Sequence, residues 1–285
     1  MDIHTFSRLF DISSKATLIL FNYVIYYASI FIIFIIWFLS IIIMQKLFTV
    51  KINKVYKIIS MFVLCIAILT LPICIIYDLK KNSIYYFHQV FYDSGVWATR
   101  WFGIPLQKNP LDMWVYQEII YEIKPDIIIE CGTYRGGSAL FFANLCDLLG
   151  NGKVITIDID DFVKEDRKHN RIIYLHGSST SDQIVAKVKS LITKNDKVLV
   201  CLDSDHHKQH VLNELTIYSQ LVSKGSYIVV EDTNINGNPV YPTYGDGPME
   251  AVKEFIKINS NFVADRSREK FLISFYPNGY LKKIK

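Results

Sequence analysis

The sequence predicts an α/β protein with a doubly wound, mostly parallel sheet, preceded by one or two apolar helices. From residue 126 onwards, short apolar runs alternate with segments of helical periodicity. Parallel strands that are buried on both faces have this continuous apolar character. The acidic residues Glu130 and Asp158 end two successive runs, and a sheet of this kind places such strand ends at one ligand-binding edge. Two long stretches without charge precede the sheet.

The apolar runs and the helical spacing define the elements one by one. Strands are predicted at 126–130, 153–158, 171–175, 197–202 and 226–231. Helices are predicted at 111–123, 137–149, 182–194, 207–223 and 248–258. Two further strand-like runs flank Pro277-Asn278-Gly279, which is a turn sequence typical of a hairpin. A parallel series that closes with a C-terminal antiparallel hairpin indicates the class I methyltransferase fold rather than a plain dinucleotide-binding sheet.

The two apolar stretches predict a membrane anchor. No charged residue occurs in 16–44 or in 58–77, and an apolar helix of about 20 residues crosses a bilayer. The first stretch is too long for a signal peptide and no cleavage site follows it. The second contains Pro72 near its end, so an interfacial helix is the alternative there. We therefore expect a membrane anchor over 1–80, an aromatic lid or linker over 81–111, and the methyltransferase domain over 112–285.

Charge and cysteine content narrow the range of partners. The formal net charge is only +4, and four lysines lie in the short connection between the apolar stretches, where lipid headgroups would meet them. We expect membrane lipid as a partner and no binding to nucleic acid. The five cysteines show no CxxC spacing, which predicts buried free thiols in a reducing compartment. Homo-oligomerisation is compatible with this interpretation.

The stretch from Glu130 to Ser138 predicts a ligand-binding turn. Glycines at 132, 136 and 137 permit a tight turn and a close approach of ligand to backbone. Ser138 stands at a helix start, where amide donors can meet a carboxylate, and Asp158 can accept two ribose hydroxyls. Tyr134 occupies the place of the middle glycine in a dinucleotide fingerprint. A dinucleotide-dependent sugar oxidoreductase therefore remains only an alternative.

Acidic residues follow two strands that are expected to be neighbours. Asp203 ends one strand, and Glu231 and Asp232 end the other. Carboxylates that converge at one edge repel each other unless a cation neutralises them, and oxygen ligands suit Mg²⁺. His206 and His210 lie four residues apart, so a zinc site is a weaker alternative.

Several segments in family order make the sequence resemble the cephalosporin hydroxylase-like O-methyltransferases, which include rhamnosyl O-methyltransferases. These are WFGIPLQKNP, DIIIECGTYRGGSA, VITIDID, VLVCLDSDHH, SYIVVEDT and GYLKK, and the resemblance covers about 95–285. It implies a class I fold that binds S-adenosylmethionine (SAM), with Mg²⁺ orienting the acceptor hydroxyl. The roles it implies are as follows: Glu130, Gly132, Tyr134 and Ser138 around the methionine part, Asp158 at the ribose, Ser178 or Ser179 near adenine, Asp203, Glu231 and Asp232 on Mg²⁺, and Asp205 or His206 as the base.

The resulting functional prediction is a membrane-anchored O-methyltransferase that acts on a sugar or glycolipid hydroxyl. Since SAM is cytosolic, the catalytic domain should face the cytosol, although two spanning helices would then place the lysine-rich connection outside. A non-catalytic membrane scaffold is the remaining alternative, and the intact acidic residues argue against it. The aromatic residues Trp97, Trp101, Phe102 and Trp114 are expected either to form a lid over the cofactor or to pack on the membrane surface.

Overall fold

The computed structural model describes residues 83–161 and 169–285, together with eight single helical positions between 28 and 43. The chain divides into two compact units, Met1–Asn82 and Ser83–Lys285. Among the described residues, no helix combines the length and the apolar character that a membrane crossing requires. Apart from the eight single positions, the predicted apolar helices 16–44 and 58–77 lie outside the described residues.

The second unit contains a seven-stranded sheet and a small two-stranded ribbon, joined by helices. The strands are β1 (Arg100–Trp101), β2 (Ile104–Pro105), β3 (Ile127–Cys131), β4 (Lys153–Asp158), β5 (Ile172–His176), β6 (Val198–Leu202), β7 (Tyr227–Val230), β8 (Phe262–Ala264) and β9 (Tyr280–Lys283). The helices are α1 (described over 83–92), α2 (Pro110–Ile123), α3 (Gly137–Leu149), α4 (Asp182–Ser190), α5 (Lys208–Tyr218) and α6 (Pro248–Ile258).

The order of the large sheet is β5-β4-β3-β6-β7-β9-β8. Strands β3 to β7 pair in parallel, and the order reverses direction at β3, which lies between β4 and β6. In such sheets ligands bind outside the carboxyl ends of the strands at this reversal. The predicted α/β class with a mostly parallel sheet is thus confirmed, and the acidic strand ends lie at one edge.

The C-terminal antiparallel pair differs from the predicted hairpin. The last strand β9 pairs antiparallel with β7 and with β8, and β8 lies at 262–264. The run before Pro277 is not a strand, so the prediction of a hairpin around Pro277-Asn278-Gly279 was wrong. Instead, Ser274 and Phe275 donate hydrogen bonds to the buried carboxylate of Asp112 on α2, and these bonds hold this run against the helix rather than in a ladder.

Two apolar clusters lie in the domain, and residues of the sheet contribute to both. Fully buried isoleucines of β3 alternate between the clusters, Ile128 in one and Ile129 in the other, as strand periodicity requires. Cys131, Cys146 and Cys201 are buried and unpaired, in agreement with the predicted free thiols. Helices α4 and α5 end four and five residues earlier than predicted, at Ser190 and Tyr218, where turns take over.

Candidate functional site

A cavity of about 670 Å³ opens at the carboxyl edge of the sheet, above β3, β4 and β6. Its size is in the range that holds a nucleoside-sized ligand. The lining includes most of the predicted site residues, namely Gly132, Tyr134, Ser138, Asp158, Ser178, Ser179, Asp203, Asp205, His206 and Asp232. The predicted residues Glu130, Gly136 and Glu231 are not part of this lining.

The glycine turn after β3 has the close packing that the sequence predicted. Gly132 has a φ of +100°, and a Cβ there would lie 2.0 Å from the carbonyl oxygen of Asp203. A Cβ on Gly137 would meet the carbonyl oxygen of Pro105 at 2.2 Å. Gly136 is the left-handed N-cap of α3 and provides no side-chain cap, so the first amides of α3 have no side-chain acceptor. The turn therefore joins β3 to β6 on one side and to the 100–108 segment on the other.

Asp158 organises this turn from the end of β4. One of its carboxylate oxygens accepts the amides of Thr133 and Tyr134, at 2.9 and 2.7 Å. The other oxygen accepts the amide of Asp160 at 3.0 Å. Each carboxylate oxygen has two lone pairs, so the group remains able to accept from a ligand hydroxyl. Asp158 thus has a fixed position at the wall of the cavity.

The serines of the Gly177-Ser178-Ser179 turn differ in their exposure to a ligand. Ser178 bonds to the hydroxyl of Thr180 at 3.1 Å and lines the cavity. Ser179 is buried, and its hydroxyl donates to Glu214 at 2.5 Å. Both serines line the cavity, and Ser178 is the more exposed of the two predicted adenine neighbours.

Glu130 lies within β3 and not on the cavity surface. Its carboxylate accepts the hydroxyl of Thr156 at 2.6 Å, and one of its oxygens is buried without a hydrogen-bond partner. Burial raises its pKa to about 7, although Lys108, Ser138 and Thr156 act in the opposite direction. The carboxylate therefore lies behind the cavity wall, bonded to β4, and its predicted contact with the cofactor stays a prediction.

Glu130→Gln is expected to change how stability depends on pH. An acid whose pKa is raised in the folded chain binds extra protons there between pH 4.5 and 7, so stability decreases as pH rises through that window. Glutamine removes the titration. As the pH rises from 5 to 8, the free energy of unfolding of the variant should therefore increase relative to that of wild type by up to about 3 kcal/mol. Urea unfolding at both pH values measures this. Exposed Glu254→Gln is the control, and parallel pH profiles for Glu130→Gln and wild type would contradict the assignment.

Asp203, His206 and Asp232 bring ligand atoms within 4.8 Å of one another. The imidazole Nε2 of His206 lies 3.2 Å from the carboxylate of Asp232. Asp232 adopts a left-handed φ of 51°, a conformation that Asp tolerates better than most residues and that redirects the chain directly after β7. Burial raises the pKa of both carboxyl groups. A neighbouring negative charge raises each pKa further, namely Asp232 for Asp203 and Glu231 for Asp232. Such a group favours binding of a cation.

Glu231 lies outside this group of three, and its predicted role as a third metal ligand stays a prediction. One carboxylate oxygen accepts the hydroxyl of Tyr116 at 2.7 Å. The other accepts the ammonium of Lys108 at 2.6 Å and the hydroxyl of Tyr276. Both carboxylate oxygens are thus engaged by side chains of the interior. A Glu-Asp pair along a strand end alternates in direction, and the pattern alone did not show which member faces inward.

Lys108 is the residue that sequence reasoning missed. Its ammonium donates to Asp203 as well as to Glu231, both at 2.6 Å, and the side chain is only 3% exposed. Burial disfavours its charge, but the two carboxylates dominate and raise its pKa well above the usual value. No periodicity or motif indicates this role, because a lysine before Asn-Pro in a loop is normally on the surface.

The two candidate bases differ in their surroundings. The carboxylate of Asp205 accepts the backbone amide of His207 at 2.9 Å and contacts its imidazole at 2.5 Å. Burial acts to raise the pKa of Asp205, yet these bonds leave it below the ordinary value, which makes Asp205 a weak base. His210 contacts Glu214 at 3.3 Å and Ser204 at 3.1 Å rather than joining His206. The structure therefore groups His206 with Asp203 and Asp232 and does not bring His210 to it, as the weaker alternative of a zinc site would require.

The aromatic residues before the domain do not form one uniform cover. Trp97 lines the cavity and packs against Tyr92 and Phe275. Trp101 packs against Phe141 of α3. Phe102 and Trp114 are exposed and do not line the cavity. A lid function for this segment stays a prediction, with Trp97 as its cavity-facing aromatic.

Comparison with known proteins identifies close relatives. The family model described as Rhamnosyl O-methyltransferase/CmcI matches residues 94–284. Rhamnosyl O-methyltransferases of Mycobacterium tuberculosis and Mycobacterium leprae are each 39% identical to this chain over 204 residues, covering 68% of it and 82% and 88% of their own lengths. A structure of CmcI with Mg and SAM has a TM-score of 0.55 at 21% identity, covering 67% of this chain and 79% of that chain. The predicted family and the predicted fold type are thereby confirmed.

Proposed function

This chain belongs to the rhamnosyl O-methyltransferase/CmcI family, and we propose that it transfers a methyl group from SAM to a Mg²⁺-oriented hydroxyl of a rhamnosyl or related sugar. The observation that carries the proposal is the position of two carboxylates and an imidazole beside a nucleoside-sized cavity. Family membership supports O-methyl transfer as the reaction class. The names of the mycobacterial relatives support a sugar acceptor.

The cavity fits SAM in the chemistry of its walls. The uncapped amino end of α3, with Gly137 and Ser138 in the lining, offers amide donors for the carboxylate of the methionine part. Asp158, fixed by the turn amides, would accept a ribose hydroxyl. Ser178, at the far wall, would meet the adenine. Tyr134, which is partly exposed at the mouth, would border the methionine part.

The donor set also fits Mg²⁺. Asp203 and Asp232 present carboxylate oxygens, which are the ligands this hard cation prefers, and water and acceptor oxygens would complete its coordination. Imidazole is a poorer ligand for Mg²⁺ than for transition metals. We therefore assign Asp203 and Asp232 as metal ligands and leave His206 as the base.

The protein residues then have separable tasks in the reaction. When bound, SAM supplies the methyl group, and Mg²⁺ lowers the pKa of the acceptor hydroxyl. Asp203 and Asp232 fix the metal end of the cavity, and His206 accepts the hydroxyl proton through its imidazole. Asp205 is the alternative base, although its bonds to His207 make it the weaker choice. Trp97 and the 105–107 segment border the cavity and would exclude water from a bound cofactor, which favours transfer from a charged sulfonium.

The direct test is methyl transfer by the full-length chain. The purified chain is incubated with SAM, Mg²⁺ and either a rhamnoside or a matched glucoside, and products are analysed by mass spectrometry. We expect one methyl group to be added to the rhamnoside and little or none to the glucoside. Transfer to neither sugar, with SAM bound normally, would contradict the sugar class. Absence of SAM binding would contradict the proposed reaction altogether.

Membrane attachment through the N-terminal unit, with the catalytic domain facing the cytosol, is a further part of the proposal. The described helical positions between 28 and 43 include exposed apolar residues at helical spacing, such as Phe31, Ile35, Phe38 and Ile42. Lipid would cover such a face, and the cytosol is where SAM is available. In a vesicle flotation assay, the wild-type chain should be recovered with the vesicles at the top of the gradient. A chain with Phe31, Ile35 and Phe38 changed to Asp should remain in the bottom fraction. Equal distribution of the two chains would contradict attachment by this face.

A further inference from the structure

A buried carboxylate lies behind one end of the cavity. Glu214 on α5 is inaccessible to solvent. Its Oε1 accepts the hydroxyls of Ser179 at 2.5 Å and of Ser204 at 2.7 Å. The same oxygen lies 3.3 Å from Nε2 of His210 in the first turn of the helix. Because Ser179 follows β5 and Ser204 follows β6, Glu214 connects two turns of the carboxyl edge with the start of α5.

This arrangement fixes the tautomer of His210. A serine hydroxyl has a single hydrogen, and both serines direct theirs to Glu214. Nε2 of His210 lies 3.3 Å from the hydroxyl oxygen of Ser179 and 3.1 Å from that of Ser204. Since neither hydroxyl has a second hydrogen to give, Nε2 carries a hydrogen and donates it to this cluster. In the neutral ring, Nδ1 is then left with a lone pair.

His210 also lines the cavity, together with Ser179 and Ser204. The amino end of α3 offers donors to the methionine part of SAM, and Asp158 is placed at the ribose. The part of SAM that remains for the wall around His210 is the nucleobase. Adenine carries an exocyclic amino group, and this donor requires an acceptor when the base is buried.

We infer that His210, oriented by Glu214, is a specificity residue for the nucleobase of the cofactor, and that its Nδ1 accepts the exocyclic amino group of adenine. The inference rests on the proposed function, in which SAM occupies this cavity. Neither residue belongs to the group of Asp203, His206 and Asp232. A hypoxanthine base has an oxygen in place of the amino group and would bring a second acceptor against Nδ1. A site that accepts from an amino group rejects such an analogue, because buried polar atoms are left unpaired.

The test compares the binding of S-adenosylhomocysteine and S-inosylhomocysteine to the full-length chain by titration calorimetry at pH 8. Wild type should bind the adenosyl compound at least about tenfold more tightly. His210→Gln retains an amide that can donate to Glu214 but loses Nδ1, so its preference should fall below about threefold. Gln209→Ala, at an exposed position of α5 that does not line the cavity, is the control and should keep the wild-type preference. An unchanged preference in His210→Gln would overturn the inference.

The pH dependence tests the same contact without a substitution at His210. The hydrogen bond to Glu214, together with the charges of Glu214 and Asp205, raises the pKa of His210 above its ordinary value, although burial acts in the opposite direction. The turn after β5 adds only the uncharged hydroxyl of Ser179. As the pH falls from 8 to 6, the ring gains a proton at Nδ1, and this atom changes from an acceptor to a donor.

The preference of wild type for the adenosyl compound should therefore fall at least about threefold between pH 8 and pH 6, since Nδ1 can then donate to the oxygen of the inosyl base. Glu214→Gln removes the charge and should move this fall to lower pH. A constant preference in wild type would overturn the inference, and an unshifted pH profile in Glu214→Gln would overturn the role of Glu214. A wild-type chain that binds neither compound would instead overturn the proposed function.

Discussion

Asp232→Ala is expected to reduce methyl transfer about a thousandfold or more, while SAM binding stays within about threefold of wild type. The carboxylate of Asp232 lies with Asp203 and His206 at the metal end of the cavity. The bound metal contributes several kcal/mol of charge stabilisation, and each 1.4 kcal/mol corresponds to about a factor of ten in rate. Single-turnover transfer to a rhamnoside and calorimetric SAM binding measure the two effects separately.

The matched control for this prediction is Asp182→Ala. Asp182 is an exposed carboxylate in the first turn of α4 and does not line the cavity. Its removal should leave transfer near the wild-type rate and cost at most about 1 kcal/mol of stability. An Asp232→Ala chain that kept more than half of the wild-type rate would refute the assignment of Asp232 as a metal ligand.

Gly132→Ala is expected to destabilise the domain by about 3 kcal/mol or more and to abolish SAM binding. The added Cβ would lie 2.0 Å from the carbonyl oxygen of Asp203. In addition, alanine would have to adopt a φ of +100°, which is strained for any residue with a side chain. Backbone cannot yield as a flexible side chain does, so the ends of β3 and β6 must separate. This separation would displace both the turn and Asp203. Thermal unfolding and SAM titration of the full-length chain measure the two losses.

Gly150→Ala isolates the cost of the left-handed conformation from that of the clash. Gly150 has a φ of +70° and has nothing within 4 Å of an added Cβ. Its substitution should cost about 1 kcal/mol and leave SAM binding unchanged. If Gly132→Ala proved no more damaging than Gly150→Ala, the close approach of β3 and β6 would not be important for the site.

Much of the fold could be predicted because its signals are local. The strand β4 and the helices α3 and α6 begin and end where the apolar runs and the glycine punctuation indicated. The antiparallel edge could not be placed in the same way. The three-residue strand β8 is too short to show a period, and its partner β9 follows after a long connection.

The candidate site shows the same division between local and non-local information. Asp158 and Asp203 were predicted from their positions at strand ends, since parallel strands place their carboxyl ends at one edge. The hydrogen bonds that hold the Glu231 carboxylate come from Tyr116 and Tyr276, which lie more than 40 residues away in the chain. Contacts of this kind leave no period and no spacing in the sequence.

By itself, the sequence determined the class of fold, the glycine turn, the edge at which the acids gather and the family. Each of these depends on residues that are near one another in the chain or aligned by strand register. Only the tertiary structure decided that Glu130 lies below the cavity, that Glu231 points inward and that Lys108 supplies a cation between two carboxylates. The physical reason is burial, because the partner of a buried charge depends on the chain segments that pack around it. Lys108 precedes the first strand of the large sheet in the chain, yet it pairs with acids that follow β6 and β7.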